Sequence, residues 1–183
     1  SLSAAIPLNP ELTLLSNDGV VTTYRLRLAH IDNRSIHGYI SVPNQGGTFP
    51  AIITLPPVGD AFVAFPEGLA SMIANAISVS ISIHNTAPDV SDPNAYSPDD
   101  IQNPEGYYYR QAILGILRVI DYLHNRSDFD GQNVILTGVS QGAGLAIAAA
   151  GLDARVNAIP PSKPMLGRHA AFNAGRASGY PQY

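Results

Sequence analysis

The sequence contains no cysteine. That excludes disulfides, thiolate metal sites and a cysteine nucleophile, and it leaves the compartment open between secreted or periplasmic and cytoplasmic. Charge is scarce as well. Only 13% of the residues are Asp, Glu, Lys or Arg, against roughly 25% in an average soluble domain. Nine of the ten basic residues are arginines, and Lys163 is the single lysine. They are scattered along a chain of net charge −4, so no basic patch points to nucleic acid. No apolar run approaches the ~20 residues needed to span a bilayer, so no membrane partner is expected. His and Asp are too sparse and dispersed to suggest a metal site, and no cofactor is expected. The chain opens on Ser1 with no basic stretch leading into an apolar one, so a leader is read as absent or already removed. The sequons Asn33-Arg34-Ser35 and Asn125-Arg126-Ser127 carry little weight, because such triplets arise by chance.

What is present suits one domain with a core: 183 residues, 45% of them hydrophobic. There is no internal repeat and no long low-complexity tract. Residues 1–10 read as an arm, and residues 11–183 as part of a single domain. Segments 20–29 and 35–42 alternate polar and apolar around a turn-rich stretch, the pattern of an antiparallel hairpin. Ala51–Leu55 is a short apolar run and reads, like Val134–Leu136, as a buried strand; Ile77–Ile83, β-branched at almost every second place, reads as a strand between them, and Val156–Ile159 as the last strand. Between them, Pro66–Ala76 has helical composition with proline in the first turn. Residues 85–105 read as a long surface loop. Asn103-Pro104 predicts a capped helix start, followed by an apolar stripe reaching to about His124. Gln141–Ala150 is almost entirely small and apolar, as in a tightly packed helix. Alternating strands and helices predict an α/β fold: a mainly parallel sheet with helices on both faces and an antiparallel hairpin at its N-terminal side.

The chemistry is concentrated in Gly138-Val139-Ser140-Gln141-Gly142. In a G-x-S-x-G elbow the serine sits on a sharp strand-to-helix turn that pushes its hydroxyl out of the sheet. Gly138 and Gly142 are then needed because any side chain two places from the serine would collide with neighbouring backbone. The N–H of Gln141, at the start of the following helix, would stabilise the oxyanion of a tetrahedral intermediate. The pattern alone is weak, since a glycine-rich turn with an idle serine would also match it. A β-branched strand directly before and a small-residue helix directly after strengthen it. A second oxyanion donor would come from the loop after the earlier central strand. Pro56 and Pro57 have no N–H to offer, so Val58 is the favoured donor, with Gly59 next; a merely rigid turn is the bland alternative.

A serine nucleophile needs a base and an orienting carboxylate, following it in this type of fold in the order Ser, Asp or Glu, His. After Ser140 the chain offers only Asp153 and His169. Asp153 comes early for such a role, and His169 reads as a surface residue. His30, His37, His84 and His124 precede the serine and read as structural, with His84 the least dismissible because it ends a central strand.

Tyr107-Tyr108-Tyr109-Arg110 and GVSQGAGLAIAAAGLDARVNA at 138–158 resemble the acetyl xylan esterase / cephalosporin-C deacetylase family, as do the SIHGYISVP segment at 35–43 and the pairs Gly175-Arg176 and Gly179-Tyr180-Pro181. The resemblance spans about residues 12–183. It implies an α/β-hydrolase fold and a serine esterase that removes O-acetyl groups from xylo-oligosaccharides or small acetylated molecules. Ser140 would be the nucleophile and the Gln141 N–H an oxyanion donor. The family's second donor is usually a tyrosine following a glycine, and here Pro57-Val58 stands in its place. The family carries its acid and its histidine on strands further along, so the chain is expected to be the N-terminal portion of such a domain and a very poor esterase by itself. A non-catalytic α/β-hydrolase-like binding module and another serine hydrolase, of dienelactone-hydrolase-like or acyl-peptide type, remain open. Association into a homo-oligomer is left open too.

Overall fold

The structure is a computed structural model, and it describes residues 6–57, 75–82, 105 and 107–164. These form one mixed sheet flanked by two long helices. The strands are β1 (Glu11–Asn17), β2 (Val21–Ala29), β3 (Ser35–Pro43), β4 (Phe49–Leu55), β5 (Ile77–Ile81), β6 (Phe129–Val139), β7 (Val156–Ala158) and β8 (Pro161–Ser162). The helices are α1 (Tyr108–His124) and α2 (Gln141–Leu152). The sheet runs β1-β2-β3-β5-β4-β6-β7, with β8 also pairing with β6. The β1–β2, β2–β3 and β3–β5 pairs are antiparallel. The β4–β5, β4–β6, β6–β7 and β6–β8 pairs are parallel.

Side-chain alternation sets the core. In β4–β5–β6 the register brings Ile53 beside both Val79 and Leu136, and Ala51 beside Ile77 and Val134. All of these are fully buried. They share one cluster with Ala112, Ile116, Val119, Ile120 and Leu123 of α1 and with Leu145, Ala146 and Ala149 of α2. Both described helices therefore cover the same face. The opposite face presents Ile52, Thr54, Ser78, Ser80, Ile135 and Thr137, a row rich in hydroxyls. The helix expected over 66–76 lies outside the described residues except for Asn75 and Ala76, which are turn.

The predicted hairpin is present as β2 and β3, joined by a tight turn at Ile31–Asn33 where Asp32 and Asn33 have positive φ. It belongs to a three-stranded meander. The sequence reading did not separate β1, whose seven residues are all exposed and whose pairing with β2 shifts register between Leu14 and Ser16. ELTLLSN lacks clean alternation because this edge strand has no buried face to encode. Helix α1 starts at Tyr108, after an N-cap at Tyr107 whose side chain makes no capping bond. Its onset thus falls later than the Asn103-Pro104 start, which itself lies outside the described residues. The tyrosine run forms the cap and first turn of α1.

Residues 6–8 of the N-terminal segment are stitched to the body. Leu8 accepts a hydrogen bond from the Ala29 N–H at 2.8 Å. Arg118 of α1 is almost wholly buried, and its guanidinium donates to the carbonyls of Ile6 (2.8 Å), Pro7 (3.0 Å) and Ala29 (2.9 Å). A buried charge is tolerated when its donors are met, here by backbone dipoles. Among the described residues no helix is long and apolar enough to cross a membrane.

Candidate active site

Strand β6 ends at Val139, α2 begins at Gln141, and Ser140 makes the turn between them. Ser140 has φ 56° and ψ −114°, a backbone state that L residues avoid and that costs of order 1–3 kcal/mol. The neighbours of the elbow show why it is built with glycines. Leu55, the last residue of β4, is paired in register with Gly138. A Cβ on Gly138 would stand 2.7 Å from the backbone carbon of Gly142 and 2.9 Å from the Leu55 carbonyl oxygen. A Cβ on Gly142 would overlap that same oxygen and lie 2.9 Å from the Pro56 carbonyl oxygen. The turn is wedged against the end of β4, and both positions need hydrogen for a side chain. The elbow thus lies at the carboxyl edge of the parallel strands, where open α/β sheets bind ligands.

Gln141 occupies the first position of α2 and is fully buried. First-turn N–H groups have no partner within a helix, and the Ser140 side chain makes no capping bond to them. The Gln141 N–H thus stands next to Ser140 at the positive end of the helix dipole, the arrangement that can stabilise a developing oxyanion. The side-chain amide of Gln141 accepts a hydrogen bond at Oε1 from the Tyr109 hydroxyl at 3.3 Å, while its Nε2 is buried without a partner. Sequence reading assigned Tyr109 no role of its own. The available signal was the lone amide Gln141 at the head of an otherwise small and apolar helix. The favoured second donor, Val58, lies outside the described residues.

The described histidines and Asp153 are placed away from this turn. His30 is buried beneath the β2–β3 turn, with Nε2 3.1 Å from the Gln111 carbonyl oxygen. Burial pushes its pKa below the usual histidine value, opposed by the bond to Gln111. His37 lies on β3, three strands from β6 and so about 14 Å across the sheet. His124 ends α1, packed edge-on against Phe129 at 5.0 Å. It is about 22 Å along the helix from Tyr109, and burial and then Arg155 lower its pKa. Asp153 caps the far end of α2, about 18 Å from its start. Its carboxylate takes Arg155 Nε at 2.9 Å and Nη2 at 2.6 Å, and Arg155 also reaches Asp121 at 2.7 Å. Those bonds hold the Asp153 pKa below the usual carboxylate value. Asp153 ties α2 to α1 and is not available to orient a base at Ser140. His84 and His169 lie outside the described residues. Among the described residues no three His, Asp or Glu side chains gather as metal ligands would.

Residues 99–174 match the family model of acetyl xylan esterase (AXE1). The acetyl esterase Axe7A of Xylanibacter ruminicola is 30% identical over 173 residues, covering 87% of this chain and 39% of that protein. The chain is a relative of the acetyl xylan esterases. The solved acetyl xylan esterase from Paenibacillus sp. R4 superposes with a TM-score of 0.81 at 27% identity, over 97% of this chain and 60% of that one. Acetyl xylan esterase 1 from Thermoanaerobacterium sp. JW/SL YS485 superposes equally well, with a TM-score of 0.81 over 96% of this chain and 59% of that one. At 19% identity that second likeness speaks to the fold alone. The fold is that of the α/β-hydrolase esterases, in agreement with the resemblance carried by the elbow and the tyrosine run. The chain spans about two fifths of the length of its curated relative and about three fifths of the solved ones.

Proposed function

We propose that this chain carries the nucleophile of a serine carboxylesterase that removes O-acetyl groups from xylo-oligosaccharides or other small acetylated molecules. One observation carries the reading. Ser140 is held in a strained turn between β6 and α2, jammed against Leu55 by two glycines whose side chains cannot be enlarged. A strained serine at that sheet edge has no structural need and has a chemical one.

In the proposed reaction the Ser140 hydroxyl oxygen attacks the acetyl carbonyl carbon as its proton passes to a base. The carbonyl π pair moves onto oxygen, and the Gln141 N–H stabilises that oxyanion, with Val58 as the proposed second donor. The tetrahedral centre collapses, the sugar oxygen leaves with a proton, and acetyl-Ser140 remains. Water then attacks the acyl-enzyme and releases acetate. None of His30, His37 and His124 is placed to be the base. The acetylated carbohydrate as substrate follows from the relatives and is part of the proposal.

The test is active-site labelling of the full gene product with a fluorophosphonate, alongside acetate release from acetylated xylo-oligosaccharides. Labelling confined to Ser140 and lost in Ser140→Ala, with acetate released by the parent alone, is the expected result. Labelling at another serine, or none, would overturn it. Turnover rising with the acyl chain length of nitrophenyl esters would point away from an acetyl esterase.

A further inference from the structure

We propose that Tyr109 is a positioning residue for the oxyanion donor: its hydroxyl holds the buried Gln141 side chain, and through it the direction of the Gln141 N–H. The inference rests on Ser140 as nucleophile and extends it to a residue 32 positions earlier in the chain.

The Gln141 N–H points where the Ser140–Gln141 peptide plane points. That plane is set by the ψ of Ser140, −114°, in a turn that would relax if nothing resisted. A rotation of this peptide would carry the N–H away from the oxyanion while leaving the rest of α2 in place. The Gln141 side chain is the lever that opposes it. The side chain is fully buried in a helix whose next residues are Gly142, Ala143 and Gly144, none of which can grip a neighbour by shape. Its Oε1 accepts from the Tyr109 hydroxyl at 3.3 Å, and its Nε2 has no partner. Either rotation of the amide preserves the pair, because the hydroxyl can donate to Oε1 or accept from Nε2.

Tyr109 is itself a firm support. It lies in the first turn of α1, its ring edge-packed on Tyr107 at 5.7 Å and on Tyr108 at 5.2 Å. Below it α1 is anchored by fully buried Ile116, Val119 and Ile120. In the same region Arg110 donates to the Glu105 carbonyl at 2.9 Å and Gln111 to Asp32 at 2.8 Å, which pins the helix start from two sides. A polar contact in an apolar wall selects one orientation where shape alone would permit several. A tight helix of small residues therefore keeps one large buried amide at the position whose N–H serves the reaction.

The experiment uses the full gene product with Tyr109→Phe, which removes only the hydroxyl. The expected result is a fall in kcat on nitrophenyl acetate of about 10–100-fold, since an ångström of misplacement near the chemistry costs up to about 10²-fold. KM should stay close to the parent, while the thermal midpoint falls somewhat because the buried Gln141 Oε1 loses its donor. Affinity for a trifluoromethyl ketone, which forms a tetrahedral adduct on the serine, should fall by the same factor as kcat. A purely structural tyrosine would move the midpoint and leave adduct affinity alone. Gln141→Leu should show the same loss, and adding Tyr109→Phe to it should cost little more, because the two act as one unit. Unchanged kcat and adduct affinity in Tyr109→Phe, or losses that add fully in the double variant, would overturn the proposal. Ser140→Ala separates the two layers. If it still turns over ester, the nucleophile reading fails and the positioning role with it. If it is inactive while Tyr109→Phe matches the parent, the positioning role alone fails.

Discussion

A methyl group on Gly142 would overlap the carbonyl oxygen of Leu55. That oxygen is backbone in a buried central strand and cannot swing aside. Gly142→Ala is expected to destabilise the protein by about 1–3 kcal/mol, the usual cost of overpacking, and to abolish fluorophosphonate labelling. Gly151 supplies the contrast within the same helix. It is exposed, and a Cβ there meets nothing within 4 Å, so Gly151→Ala should gain up to about 1 kcal/mol from helix propensity. Urea midpoints of the two variants check both signs.

Strain at Ser140 predicts a conflict between stability and activity. Its positive φ suits glycine and no residue with a Cβ. Ser140→Gly should therefore be more stable than Ser140→Ala by about 1 kcal/mol, the relief of strain offset in part by the flexibility of glycine when unfolded. Both variants should be inactive. Equal midpoints for the two would show that the turn is unstrained.

Arg118 is expected to matter far more than its position on a helix suggests. Arg118→Met would leave the carbonyls of Ile6, Pro7 and Ala29 without their donor. A loss of about 2–4 kcal/mol follows from hydrogen bonds to a charged group, together with faster amide exchange at Ala29, whose N–H bonds Leu8. Arg27, whose partner Glu11 is largely exposed like itself, should lose at most about 0.5 kcal/mol when replaced by Ala. Denaturant curves of the two variants measure the difference.

Acid should weaken the fold in two separate windows. His30 and His124 both have folded pKa values below 6.5. The unfolded chain then binds protons before the folded one does, so stability is full above pH 6.5 and declines as pH falls through and below that value. Asp153, held below 3.8 by Arg155, adds stability that is lost only in stronger acid. His30→Phe should flatten the slope of thermal midpoint against pH between 7 and 5. An unchanged slope would show that His30 does not contribute to it.

Much of the architecture was legible in the residues. The runs at 51–55, 77–83 and 134–136 mark strands β4, β5 and β6 because their apolar positions supply one continuous buried face, while Ser78 and Ser80 alternate onto the other. The stripe from Ala112 to Leu123 appears as α1 because its period matches one helical face. What escaped reading was set by context. Strand β1 has no buried face, and its alternation runs only from Glu11 to Leu14 before breaking where its register with β2 shifts. The first half of β6 is the polar stretch Asp130–Asn133, which becomes strand only by continuing a chain direction fixed further on. Residues 6–8 read as an arm, yet they are held by Arg118, 112 positions away from Ile6.

The candidate site divides along the same line. The glycine spacing from Gly138 to Gly142, with the β-branched run before it and the small-residue run after it, pointed by itself to a strained serine between a strand and a helix, since spacing and flanking composition are local properties. Only the tertiary structure decided what the glycines are for, by bringing the Leu55 carbonyl against them. It also decided that Asp153 belongs to Arg155 and Asp121 at the far end of α2, and that Tyr109 meets Gln141. The physical reason is range. Backbone preference and side-chain period act over a few residues and leave their mark in sequence, whereas a hydrogen bond between residues 32 apart exists only after the sheet order and helix packing have placed both groups.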